Sequence, residues 1–293
     1  SANWVAVGQG TNSIATSTDG IVWSGLGTSI FSSVGLGVAF GNGLWVATGQ
    51  GTNSIATSTD GIAWTGRTLK TIFSSQGRGV TYANGLWVAV GYGTSHTIAT
   101  STDGILWTGR GITIFSSIGF SVAFNNGLWV AVGQGTNSIA TSTDGIVWTG
   151  RTGTSIFSTA GRGIAYGNGL WVAVGEGINS IATSTDGVVW TGRGTSIFST
   201  LGRGIAFNNG LWVAVGEGTN AIATSTDGVV WTGLGLTIFS IQGRGVAYAN
   251  GLWVAVGAGT NSIATSTDGI AWTGLGLSIF SSSGGVAFKN EDV

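Results

Sequence analysis

The sequence predicts an all-β chain folded as a seven-bladed β-propeller with four antiparallel strands per blade. Three observations predict it. The stretch Ser17-Thr18-Asp19-Gly20-Ile21-Val22-Trp23 occurs in seven versions, with its aspartates at Asp19, Asp60, Asp103, Asp144, Asp186, Asp227 and Asp268. These stand 41, 43, 41, 42, 41 and 41 residues apart, a fixed self-similarity of the length that builds propeller blades, solenoids or arrays. All fourteen tryptophans keep the same beat, Trp4, Trp45, Trp87, Trp129, Trp171, Trp212 and Trp253 in one series and Trp23, Trp64, Trp107, Trp148, Trp190, Trp231 and Trp272 in the other. Finally, turn signals cut every repeat into four short apolar runs, as in a four-stranded blade.

The copy from Gly163 to Arg203 shows each element in order. Gly163-Ile164-Ala165-Tyr166 is a short β-prone run. Asn168-Gly169 follows, the dipeptide that a two-residue type I′ hairpin requires because both central residues have positive φ. Leu170-Trp171-Val172-Ala173-Val174 is the second strand; it is apolar throughout, as expected where neighbouring blades cover both faces. Gly175 to Asn179 is a glycine-rich loop, and Ser180-Ile181-Ala182-Thr183-Ser184 the third strand. Thr185-Asp186-Gly187 turns the chain into an expected fourth strand, Val188-Val189-Trp190-Thr191. A longer connection with the apolar pair Ile197-Phe198 leads into the next copy. Breakers at such short intervals exclude a helical repeat. A β-solenoid fits less well, because its strands are parallel and these turns demand hairpins.

The repeats are out of phase with the chain. Trp4-Val5-Ala6-Val7 reads as a second strand with no first strand before it, and Gly285-Val286-Ala287-Phe288 as a first strand with no second after it. Pairing the two completes a seventh blade, closes the ring without a covalent bond and removes both sheet edges. Loss of residues 285–293 is therefore expected to destabilise or oligomerise the protein. The repeats run without a linker, so residues 1–293 are expected to form one domain.

Composition narrows the function classes. Only 7% of the residues are charged and the formal net charge is −1, so there is no basic field for nucleic acid. No apolar run approaches the roughly 18 residues of a membrane span. The chain has no cysteine, which excludes disulfides, thiolate nucleophiles and cysteine-type zinc sites. It begins without a methionine, as a processed or excised N-terminus would, and the compartment stays open. No cofactor and no metal is expected, and in solution a monomer or weak self-association.

Read from Ile14 to Trp23, the pattern Ile-x-x-Ser-x-Asp-Gly-x-x-Trp resembles the Asp-box of sialidase-like (BNR-type) propeller repeats. The resemblance covers all seven copies but lacks one residue between the Asp and the Gly. It implies that the motif sits in the turn between third and fourth strands, on the face opposite the usual ligand site. Chemistry agrees with a structural role: a turn aspartate accepts backbone N–H groups, the next glycine supplies positive φ, and the Trp fills space between blades. A metal role would need further oxygen ligands beside each Asp.

Comparison among the copies finds the variable positions on the opposite face. A loop position reads Gln9, Gln50, Tyr92, Gln134, Glu176, Glu217, Ala258, and the residue entering the innermost strand reads Leu36, Arg78, Phe120, Arg162, Arg203, Arg244 and then Gly. Arg78, Arg162, Arg203 and Arg244, with Glu176 and Glu217, are the candidate ligand-binding residues. Four arginines at a channel mouth can grip a carboxylate, sulfate or phosphate; the plainer reading is that each stacks on an aromatic or bonds a backbone carbonyl. A second set, Arg67, Arg110, Arg151 and Arg193, follows the fourth strand. Clefts between blades, lined by Trp and Tyr beside Asn, Gln and Thr, are candidate sugar sites, and seven of them would give avidity.

A catalytic reading is weak. A sialidase would need an arginine triad, a Tyr–Glu pair and an acid Asp, whereas Tyr82, Tyr166 and Tyr248 occupy the position that Phe fills in other copies and every Asp but Asp292 belongs to the turn motif. His96 is the single histidine, in a loop one residue longer than its counterparts, and is expected to be solvated. The sequence thus leads to a non-catalytic, multivalent, lectin-like propeller that binds glycans first and protein surfaces second. The alternatives are a structural or assembly scaffold, or a recently amplified or engineered propeller without a ligand, and third a sialidase-like hydrolase.

Overall fold

The structure, a computed structural model, describes residues 2–67, 71–151 and 153–290. Twenty-eight strands and no helix are found among them. They form seven four-stranded antiparallel blades: 34–66, 76–109, 118–151, 160–192, 201–233, 242–274, and a seventh made of 282–288 with 4–25. The innermost strand of each blade lies beside that of the next, and Ser282–Phe288 lies beside Val34–Gly41, so the circle closes around an axis. This is the seven-bladed propeller expected from the repeats.

Closure takes the expected form. Trp4–Gln9 pairs antiparallel with Ser282–Phe288, placing Trp4 opposite Phe288 and Val5 opposite Ala287. The Trp4 and Phe288 rings meet edge-on at 4.9 Å, and the Lys289 N–H donates to the Asn3 carbonyl at 2.7 Å. In the six other blades the same junction is an Asn-Gly turn. Asn168 and Gly169 have φ of 49° and 79°, the two positive values of a type I′ turn. Residues 291–293, part of the tail singled out above, lie outside the described residues.

The core is distributed between the blades. A typical cluster takes Val130, Val132 and Ile139 from one blade and Ile164, Trp171, Ala173, Ala182 and Trp190 from the next. Phe157 completes it from the connection between them, fully buried like Phe31, Phe73, Phe115, Phe198, Phe239 and Phe280 at the same place in the other copies. The phenylalanine and the paired strand together explain a glycine inside the second strand. A Cβ on Gly175 would collide with the Ala160 carbonyl oxygen and stand 2.7 Å from Phe157 Cδ1, so the strand has no side chain there.

Two strand assignments need correction. The fourth strand is Thr191–Gly192 alone, not Val188 to Thr191. The Asp186 carboxylate accepts the N–H groups of both Val188 and Val189 at 2.8 and 2.9 Å. Trp190 Nε1 donates to the Gly187 carbonyl at 2.9 Å. The turn therefore holds two backbone donors that a strand ladder would need, and only the last two residues reach Ala182 and Thr183. The innermost strand is longer than expected, Ala160–Gly167, and it carries a bulge that proves central to the site.

Candidate functional site

The site is built by a repeated β-bulge. In the blade at 160–192 the pairing passes from Gly161 opposite Gly175 to Gly163 opposite Val174, leaving Arg162 unpaired. The same slip leaves out Leu36, Arg78, Phe120, Arg203 and Arg244 in their blades, and Gly284 in the seventh. A bulge bends the strand and re-aims one side chain, here towards the axis. The variable position thus lies within the innermost strand, not at its entry. Glycine follows the bulge in six of the seven copies because neighbouring strands nearly touch: a Cβ on Gly163 would meet the Arg203 carbonyl oxygen at 2.8 Å.

The seven bulges surround an axial cavity of about 550 Å³, lined by Leu36, Arg78, Phe120, Arg162, Arg203 and Arg244, with Gly284 closing the circle. All four arginines named from the sequence converge here. Arg162 is held by Glu176, its Nη2 and Nε donating to Oε2 at 2.7 and 3.2 Å. Arg203 Nη2 lies 3.5 Å from Glu217 Oε2. Among the described residues Arg78 and Arg244 have no carboxylate within ion-pair distance. Two guanidiniums lie over Phe120, that of Arg78 at 5.3 Å and that of Arg162 at 4.6 Å from its ring centre. Aromatic contacts, carboxylate pairing and arginines without a carboxylate partner thus coexist in one cavity.

The electrostatics are those of crowded, desolvated cations. Burial, then the like charges of Arg162 and Arg244, pull Arg78 down to about 10. Arg203 falls to about 10 through burial and the same two neighbours, against the opposing pull of Glu217. Burial also lowers Arg244, while Glu217 raises it. All three stay cationic at neutral pH. The Nε donors of Arg78, Arg203 and Arg244 are buried without a partner, and an unmet buried donor is costly, more so on a charged group.

The turn aspartates, the outer arginines and His96 make local hydrogen bonds away from the cavity. Asp19 Oδ1 accepts the N–H groups of Ile21 and Val22 and the Ser17 hydroxyl, and Asp60, Asp103, Asp144, Asp186, Asp227 and Asp268 repeat the pattern. These bonds hold all seven carboxyls below the usual carboxylate range. Arg67, Arg110, Arg151 and Arg193 each bond a threonine hydroxyl on the third strand of their own blade. His96 is not merely solvated. Its Nδ1 accepts the Gly111 N–H at 2.9 Å, the task Asn179 Oδ1 performs for Gly194. Among the described residues no three His, Cys, Asp or Glu side chains assemble as metal ligands.

Of the expected clefts between blades, one of about 250 Å³ lies beside Trp23, lined by Ile21 and Val22 of one blade and Ile263, Leu275 and Ile279 of its neighbour, and its lining is largely aliphatic. The inner tryptophans, such as Trp45 and Trp87, are 0% exposed and offer no face for stacking, whereas the outer series is mostly buried, with Trp64, Trp231 and Trp272 partly open. Sequence reasoning missed the side chains that are open. Val22, Leu106, Val147, Val189 and Val230 are at least 71% exposed, on the turns mistaken for strands.

No protein-family model matches the chain, and no curated protein resembles it in sequence. Solved structures do resemble it in fold. A computationally designed protein, Ika8, aligns with 99% of this chain and 89% of its own at 14% identity and a TM-score of 0.61. Virginiamycin B lyase from Staphylococcus aureus aligns with 84% of this chain and 85% of its own, at 16% identity and a TM-score of 0.72. The GH74 enzyme of Niastella koreensis covers 84% of this chain with 38% of its own, at 19% identity and a TM-score of 0.60. A design, a lyase and a GH74 enzyme share the architecture, so function must be argued from the site.

Proposed function

We propose that the chain is a non-catalytic ligand-binding propeller and that its binding site is the axial cavity, where Arg78, Arg203 and Arg244 receive a small anionic ligand. One observation carries this reading: four half-buried arginines converge on a single cavity and only two carboxylates lie within ion-pair distance of them. An anion would balance the excess positive charge and relieve the mutual repulsion of the cations. The volume lies in the range of small-molecule sites, and Gln9, Gln50, Gln76 and Ser121 add polar groups to the lining. Acidic glycans are the first ligand class, which keeps the protein lectin-like but with one axial site in place of seven clefts. The turn motif belongs with Asp-box repeats in this reading, as a structural element remote from the ligand. Catalysis has little support, because Glu176 is occupied by Arg162.

The test is an array of sialylated, sulfated, uronate-bearing and neutral glycans, probed with the protein and with a double variant, Arg203→Gln with Arg244→Gln. Saturable binding confined to acidic glycans, weakened by salt and lost in the variant, is expected. Binding of neutral glycans that the variant retains would overturn the axial site. A blank array would overturn the glycan class and favour the scaffold role.

A further inference from the structure

We propose that the ligand is a phosphate monoester on a sugar-sized body, its dianionic phosphate seated between Arg203 and Arg244. This rests on the reading of the cavity as an anion site and specifies the anion. Charge is the first argument. Four guanidiniums face the axis and two carboxylates, Glu176 and Glu217, pair with them; four minus two leaves two positive charges unmatched. A carboxylate or sulfate ester, each a monoanion, would leave one of them buried and unneutralised. A phosphate monoester carries close to two negative charges at neutral pH and presents three acceptor oxygens.

Placement is the second argument. Arg162 already gives Nε and Nη2 to Glu176, and with Arg78 it flanks Phe120. Arg203 and Arg244 stand on adjacent blades, the first only loosely tied to Glu217 at 3.5 Å and the second to no carboxylate among the described residues. Two guanidinium forks side by side suit a tetrahedral oxyanion. The equivalent bulges at Gly284 and Leu36, on the next two blades round the ring, bring no charge. The uncharged body of the ligand lies on that side, against Val34, Val38 and Val286 and within reach of Gln9 and Gln50.

The second phosphate pKa, near 6, gives a test that carboxylates and sulfate esters cannot mimic. The ionisable groups that line the site are the four arginines, with Glu176 and Glu217 against Arg162 and Arg203; Tyr92 holds the loop position equivalent to the glutamates and is absent from the lining. His96 is bonded to Gly111 and is absent from the lining. Calorimetric titration would use glucose 6-phosphate, glucose 6-sulfate, glucuronate and inorganic phosphate, in phosphate-free buffer at about pH 7.5 and about pH 5. Glucose 6-phosphate should bind tightest and weaken about tenfold at the lower pH as its dianion disappears, while the sulfate ester shows no such change. Arg244→Gln should weaken the phosphate ester about tenfold or more, as expected for loss of a charged hydrogen bond. Glu217→Gln should tighten it, and Arg193→Gln on the outer rim should leave it unchanged. Equal affinity for all three esters and acids, without the pH effect, would overturn the phosphate assignment and leave the anion site standing. Inorganic phosphate binding as tightly as the sugar phosphate would overturn the sugar body. No binding by any of the four would overturn the anion site itself.

Discussion

At the scale of the residue, departures from the repeat carry most of the information. Val7, Val90, Val132, Val174, Val215 and Val256 occupy one position of the second strand, and Thr48 replaces them in a single blade. Its hydroxyl is buried without a partner. Thr48→Val restores the repeat and removes an unmet polar group, so it should stabilise the protein by about 1 kcal/mol, read as a higher melting temperature. The seven turn aspartates make a prediction about pH. Their backbone and serine hydrogen bonds favour the charged form, so each folded pKa lies below the unfolded value of about 3.9. Their stabilisation is complete above that value and is lost as pH falls through the lower folded pKa. The melting temperature should be flat from neutral pH to about 5 and fall steeply below about 4. Ser184→Ala, which removes one partner of Asp186 and of Gly187, should move that fall slightly upward in pH.

At the scale of the element, the sequence was most legible where local chemistry alone decides the backbone. Asn-Gly dictated its turn, and the fully apolar second strand declared burial on both faces. The fourth strand was misread because Val188-Val189-Trp190 has strand composition while one carboxylate removes two of its donors from the ladder. The bulge had a visible signal, a variable residue between small ones in Gly161-Arg162-Gly163 and its counterparts, but its meaning depends on how closely the next blade approaches. That distance is set by the ring and not by the strand. Gly175→Ala tests the packing between elements. Its new methyl would meet the Ala160 carbonyl oxygen as well as Phe157, so the cost should reach at least the upper end of the about 1–3 kcal/mol of side-chain overpacking. Gly194→Ala is the contrasting case, since nothing lies near its Cβ and only its φ of 76° opposes the change.

At the scale of the whole molecule, ring closure was legible from the phase of the repeats, because a half blade at each end has one plausible partner. Phe288→Ala should cost about 2 kcal/mol, less than a fully buried phenylalanine, since this ring is half-buried against Trp4. Deleting residues from Gly285 onward removes most of the innermost strand and exposes the Trp4–Gln9 edge. The truncated protein should melt lower or self-associate, as sedimentation and calorimetry would show; a monomer of unchanged melting temperature would contradict closure by this strand. The arginines at the variable bulge could be counted from the sequence, but their division of labour could not. Which guanidinium pairs with a glutamate, which stacks on Phe120 and which keeps a free donor follows only from their arrangement around the axis.

The central claim is that the axial arginines form an anion site. Its most direct test is a crystal of the protein soaked in selenate, a heavy dianion located by anomalous scattering. The account predicts a peak inside the cavity between Arg203 and Arg244 that disappears in the Arg244→Gln protein. Selenate found only on the outer surface, with the cavity empty at the same concentration, would contradict it.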